Sequence, residues 1–278
     1  MKKILAVVDS LNYKEEQLDT IEYVSGILKS NLTIVMPQEI NGSSFLTSSD
    51  FAANAPASYF ELGIRASREK DDIIKHNTTA MRMACQARNL FCAMYGDRAA
   101  TPEEIILESR FADLVLLGKE LSLHLQFDNG PTGSVRNVLA NAECPVLVTS
   151  EDMPAVKGVV FTYNGTYSSM YAIRSFTGMF PEIVTQHATV IYINEKENKA
   201  MPHERLLREY LGAYNRNISY MTLSGKADTV IQAYLEQKPD HITTLGAHGR
   251  SRLSRFFNSS TAGYILRTTK GPLFITHE

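Results

Sequence analysis

The sequence predicts an α/β protein made of two tandem, doubly wound parallel sheets of five strands each. Three observations predict it: an internal duplication, an alternation of short apolar runs with helix-period segments, and matched strand ends reading Leu-Gly in both copies. The copies divide the 278 residues into 1–152 and 153–278, each the size of an ordinary domain. Strands that alternate with helices imply parallel sheets, right-handed crossovers and helices on both faces.

The elements follow in order. The first copy opens on the strand-like KILAVVDS (3–10), and Leu18, Ile21, Val24 and Leu28 then recur at helical spacing. LTIVM (32–36) is the second strand, a helix is expected over roughly Tyr59 to Arg88, and LFCAMY (90–95) is the third strand. TPEE starts the next helix, with Thr101 as cap and Pro102 in the first turn. FADLVLLGKE (111–120) follows, then TGSVRNVLANAECPVLVTSE (132–151), which reads as small polar cap, helix, Pro, strand.

The second copy repeats the plan. GVVFTYNGT (158–166) leads to Met170, Ile173, Phe176 and Phe180 at helical spacing, then ATVIYIN (188–194). A helix near His203 to Tyr214, the strand ISYMTL and a helix near Ala227 to Glu236 come next. PDHITTLGAHG (239–249) and NSSTAGYILRTTKGPLFITHE (258–278) close it, matching the end of the first copy. Only PQEINGSSFLTSSDFAANAPAS (37–58) has no counterpart; so long a connection is expected to be mobile or to pack as a contact surface.

Composition narrows the function classes. Hydrophobic content of 44% and charged content of 21% suit a soluble globular chain. The opening lysines imitate a signal peptide, but the apolar run stops at Asp9, too short for one, and no run approaches the ~20 residues of a membrane span. Cytoplasmic residence is the expectation. Cys85, Cys92 and Cys144 are odd in number without a C-x-x-C pair, so buried thiols are expected rather than disulfides or a metal site. A net charge of −2 gives no general attraction for nucleic acid. Residues 1–150 carry 14 Lys+Arg against 19 Asp+Glu (−5) and residues 151–278 carry 14 against 11 (+3), so an anion site is favoured in the second half.

Ligands of such sheets bind beyond the carboxyl ends of the strands, at the topological switch point. Here that is where the first strand ends at Asp9 or Asn164 and the fourth at Gly118 or Gly246. In GAHGRSRLSRFFNSSTAG (246–263), Gly246 and Gly249 would let the backbone turn and approach a ligand. Ser259 and Ser260 fall where a helix should begin, offering unpaired N–H groups and hydroxyls to an anion. Arg250, Arg252 and Arg255 could neutralise phosphate. The same residues also admit a plain reading: a turn, a helix cap, a solvated arginine face and a loop histidine at His248.

The duplicated order, the strand-end LGAHG, the nine-residue gap before a small-residue pair at a helix start, and the final Pro-then-strand resemble the universal stress protein family over essentially the whole chain. The resemblance implies a Rossmann-like fold and, in ATP-binding members, G-x-x-G, nine residues, then G-S or G-T, with an Asp ending the first strand. Gly246, Gly249 and Ser260 match; Ser259 stands for the family glycine and Asn164 for the Asp. Serine keeps the N–H, while Asn164 loses the charge and bulky Tyr163 beside it could fill the base pocket. Carried over, the contacts are Asn164 and Ile193 toward adenosine, Leu245 and Gly246 at the strand end, and His248, Gly249, Ser259, Ser260 and Thr261 around ribose and phosphates, with Thr162 and Arg250 completing the set. In the first half Asp9, Gly133 and Ser134 remain, but Leu121 replaces the second glycine and Glu120 would repel phosphate, so no ATP is expected there.

The resemblance thus implies a cytoplasmic stress-response protein that binds ATP or a related adenine nucleotide, with or without magnesium, in its second half and acts through partners. Pairing of VLVTS with LFITH between the halves is expected, and a homodimer is compatible. The alternative is a ligand-free scaffold or dimerisation protein with decayed pockets. A nucleotide-cleaving enzyme is disfavoured: no paired acids flank the cradle, and neither G-x-x-x-x-G-K-[ST] nor G-x-G-x-x-G occurs. Slow incidental hydrolysis stays open.

Overall fold

The computed structural model describes residues 2–37, 57–95, 100–119, 134–150, 153, 155–194, 200–247 and 269–277. The first half runs β1 (Lys3–Val7), α1 (Gln17–Leu28), β2 (Asn31–Val35), α2 (Ala57–Ala87), β3 (Cys92–Met94), α3 (Pro102–Ser109), β4 (Leu114–Gly118), α4 (Ser134–Asn141) and β5 (Val146–Thr149). The second half runs β6 (Gly158–Tyr163), α5 (Tyr167–Met179), α6 (Pro181–Gln186), β7 (Ala188–Asn194), α7 (Glu204–Gly212), β8 (Ser219–Ser224), α8 (Ala227–Leu235), β9 (His241–Ala247) and β10 (Leu273–His277). Most of the unmatched stretch 37–58 and the helix expected after Ser260 lie outside the described residues.

The strands form one ten-stranded sheet ordered β3-β2-β1-β4-β5-β10-β9-β6-β7-β8. Each half is the expected five-strand parallel unit, both in the same order, and the expected pairing of VLVTS with LFITH joins the two units into this single sheet. β5 meets β10 antiparallel, with Leu273 opposite Val148 and Ile275 opposite Val146. All eight residues of β5 and β10 other than His277 are buried, so the seam is apolar on both faces, as buried parallel-type strands usually are.

Side-chain alternation sends each strand to two cores. On one face Ile4, Ala6, Leu116, Phe161 and Phe274 pack under α1, α2, α5, α6 and α7; on the other Leu5, Val7, Leu117, Val160 and Ile275 pack under α3, α4 and α8. The periodic residues Leu18, Ile21, Val24 and Leu28 are all buried. Phe176, Phe180, Phe161 and Phe274 meet edge-on or tilted, with ring centres 5.1–6.2 Å apart. Phe180 does not continue α5 as its spacing suggested; Pro181 cannot donate to the preceding turn, so the helix stops and α6 starts at the proline. Thr101 caps α3 as expected, its hydroxyl accepting from Glu104 N while Glu104 reaches back to Thr101 N.

Polar ties also join the halves. Lys2 Nζ donates to the carbonyls of Gly178 and Met179 at the end of α5, at 3.2 and 3.1 Å, where the helix dipole favours a cation. Lys119 donates to the Thr269 carbonyl, His277 Nε2 bonds the Leu139 carbonyl at 2.5 Å, and Val156 N donates to Tyr23 Oη at 3.1 Å.

Candidate functional site

β1 lies between β2 and β4, and β6 between β7 and β9. The chain therefore leaves each first strand in opposite directions, and a crevice is expected beyond the carboxyl ends at β1/β4 and at β6/β9. Gly118 and Gly246 stand at these ends, in register with Thr149 and Thr276 of the neighbouring last strands.

In the second half the connection from β6 to α5 is only residues 164–166. Gly165 makes it possible with φ +80°, a conformation an L side chain rarely adopts, and its Cα faces Pro202. Asn164 Oδ1 accepts from Thr166 N at 3.1 Å and Thr166 Oγ1 at 2.6 Å, and Thr166 Oγ1 accepts from Ser169 N, capping α5. So short a link sets the first turn of α5 directly against β9. A Cβ on Gly246 would lie 2.2 Å from the Ser168 carbonyl oxygen and 2.8 Å from Ser169 N. Gly246 is thus explained by helix packing as well as by any turn.

Of the residues expected to hold a nucleotide, Thr162, Asn164, Ile193, Leu245 and Gly246 are described, and they sit on the last residues of β6, β7 and β9 or just beyond. Thr162 Oγ1 donates to the Thr244 carbonyl at 2.6 Å, so its hydroxyl proton is committed within the sheet. Leu245 is buried in the core under α8, and Ile193 is half-buried. Tyr163 lies in the opposite core with Tyr192 and Met201, where burial raises its phenol pKa. His248, Gly249, Arg250, Ser259, Ser260 and Thr261 lie outside the described residues.

The first half differs. The connection from β1 to α1 covers residues 8–16, and α1 begins farther from the strand ends. A Cβ on Gly118 would meet nothing within 4 Å. A small cleft of about 40 Å³ opens there, lined by Ala6, Val8, Asp9, Gln17, Ile21 and Gly118 among others. That is room for a water or two. Asp9 is nearly buried, and its carboxylate closes the local turn: Oδ1 accepts from Leu11 N at 2.9 Å and Asn12 N at 3.2 Å, and Oδ2 from Asn12 Nδ2 at 2.9 Å.

Sequence reasoning missed Ser168 and Ser169, which are 1% and 3% exposed and shape the second crevice. Their signal was the spacing itself: a strand end, a glycine and a Thr cap within four residues leave no room for the helix to start elsewhere. It also gave no role to Lys119, whose ammonium bridges the two halves. Among the described residues no group of three or more His, Cys, Asp or Glu could hold a metal ion, and no helix is long and apolar enough to cross a membrane.

Comparison with known proteins adds the following. No family model matches the sequence. The chain is 24% identical over 164 residues to a universal stress protein of Synechocystis, covering 58% of this chain and 56% of that protein, so it spans little more than half the length of that curated relative. Among solved structures, a universal stress protein from Archaeoglobus fulgidus superposes with a TM-score of 0.65 at 15% identity, covering 99% of this chain and 98% of the other. A protein of Pseudomonas aeruginosa described as a putative universal stress protein gives 0.57 at 15% identity, covering 100% and 93%. At such identity the two structures speak for the fold.

Proposed function

We propose that the chain, similar in sequence to one universal stress protein and in fold to another, is itself a universal stress protein that binds an adenine nucleotide, ATP in the first instance, at the carboxyl end of β9 and acts through partner interactions rather than as an enzyme. One observation carries this reading. The G-x-x-G that opens at Gly246 starts on the last residues of β9, beside the switch point between β9 and β6, the position at which open α/β sheets take ligands. Gly246, Gly249, Ser259 and Ser260 would serve through backbone N–H groups and hydroxyls, Arg250 through charge, and Leu245, Ile193 and Asn164 around the adenosine. Magnesium would accompany the phosphates. Cytoplasmic residence and a homodimer belong to the same reading.

Titrating the purified protein with ATP and magnesium in a calorimeter tests it. Heat of binding and a thermal shift that Ser260→Ala diminishes support nucleotide binding; no heat and no shift at millimolar nucleotide overturn it.

The second reading, a ligand-free scaffold, is favoured by a specific observation: the space over the Gly246 Cα is taken by the Ser168 carbonyl, and Asn164 Oδ1 and the Thr162 hydroxyl proton are already engaged. It predicts no excess absorbance near 260 nm in the protein as purified and no effect of Ser260→Ala.

A further inference from the structure

The opposite, amino-terminal edge of the second half carries a polar cluster that the nucleotide reading does not use. His241 is the first residue of β9 and His187 immediately precedes β7, and β6 runs between these strands. The two imidazoles nonetheless meet, with His241 Nε2 3.1 Å from His187 Nδ1 and the rings edge to face at 5.1 Å. They arch over Gly158, the first residue of β6. A Cβ there would lie 2.4 Å from the His187 carbonyl oxygen and 3.0 Å from His241 Cδ2, so glycine is what allows the bridge.

The bonding fixes the protons. Asp240 Oδ1 lies 2.7 Å from His241 Nδ1, and a carboxylate can only accept, so His241 carries its proton on Nδ1. Its Nε2 is then an acceptor, and His187 must donate from Nδ1. Lys157 Nζ holds the other carboxylate oxygen of Asp240 at 2.9 Å. We propose that Asp240, His241 and His187 form an acid-sensitive latch joining the amino ends of β7 and β9 across β6, closed while the two imidazoles share one hydrogen bond and open once both are cationic.

A proton added at His187 Nε2 leaves its Nδ1 donor, and with it the shared bond, in place. A second proton has only His241 Nε2 to go to. There it removes the acceptor and sets two cationic N–H groups against each other. His241 is 6% exposed; burial lowers its pKa, Asp240 opposes that shift, and Lys238 and His187 add to it. Asp240 itself is held down to about 2, first by Lys157 and then by His241, so it stays ionised throughout. Among the described residues 269–272 ahead of β10, where Gly271 lies against the His241 carbonyl, the one charged group is the exposed Lys270.

A group with a depressed folded pKa is protonated first in the unfolded chain. Its contribution is full above the ordinary value of 6.5 and is lost as pH falls toward the folded value. The test is the thermal midpoint measured from pH 8 to pH 5 for the full chain, His241→Asn and His187→Ala. The expected result is a wild-type midpoint that is level above about pH 6.5 and drops by several degrees below it, a flattened curve for His241→Asn and a shallower drop for His187→Ala. Three parallel curves overturn the latch. Should a variant fail to fold, nitrogen-15 spectra of the wild-type imidazoles decide. The latch requires His241 protonated on Nδ1 at pH 7.5 and the His187 Nδ1 signal shifting at the step in which His241 Nε2 takes up its proton; a His241 protonated on Nε2, or a His187 ring unmoved by that step, overturns it.

Discussion

Gly118 and Gly246 occupy the same place in the two halves, each the glycine of a Leu-Gly strand end and each in register with a threonine. Around one, a Cβ would meet nothing within 4 Å; at the other it would collide with the Ser168 carbonyl at 2.2 Å. The glycine is the same and its neighbourhood is not. What differs is the connection before the first helix, residues 8–16 in one half and 164–166 in the other. A long link lets α1 begin away from the strand ends and leaves a cleft; a short one, turned by Gly165, drives α5 onto β9. The half whose motif departs from the family pattern therefore has the open crevice, and the half whose motif fits it has helix backbone over its first glycine.

The comparison is broken most directly at the glycines. Gly246→Ala places a methyl against main chain that cannot rotate away, so a loss of roughly 2–4 kcal/mol in denaturant unfolding is expected. Gly118→Ala, in open space, should fall within about 0.5 kcal/mol of the parent or slightly above it. Equal losses at the two sites would show that the crevices are alike. Gly165→Ala comes next, because it forces a side chain into positive φ and against Pro202 Cβ at 2.7 Å. About 1–3 kcal/mol is expected. Thr166→Ala removes the cap that anchors α5 and should cost about 1 kcal/mol; an unchanged midpoint would mean that packing on Gly246, not the cap, fixes where the helix begins.

These differences also explain what could be read in the sequence and what could not. The strand and helix order was legible because β1, β4, β6 and β9 are short apolar runs bounded by turn residues, and α1 and α5 bury one periodic face. Thr101 and Pro102 announced α3 by local chemistry alone. The Phe180 break was visible too, in Pro181, but helical periodicity on both sides of the proline masked it. The merging of ten strands into one sheet was anticipated through the family resemblance, as pairing of VLVTS with LFITH, and not from the strands alone, since VLVT and LFITH as buried strands fit equally well an edge inside a domain or a seam between domains. The filling of the second crevice was not legible. A motif names residues along the chain, whereas the space over Gly246 is set by a helix that starts 79 residues earlier, at Tyr167.

A final, smaller effect asks whether the two halves unfold together. All three cysteines lie in the first half, and burial pushes the thiols of Cys85 and Cys144 up to about 12. Little thiolate is present at pH 8, so alkylation of these two sites should be slow and should report opening of the structure. Cys144 just precedes β5, the strand that pairs with β10. If the seam makes one cooperative sheet, Gly246→Ala, on the strand beyond β10, should speed alkylation of Cys144 severalfold at pH 8, and Gly118→Ala should leave it unchanged. If the halves open separately, Gly246→Ala will lower the midpoint of the second half alone and the Cys144 rate will stay at its parent value. Peptide mass spectrometry after timed labelling distinguishes the two outcomes, and the second would mean that the apolar seam joins the halves without coupling their stabilities.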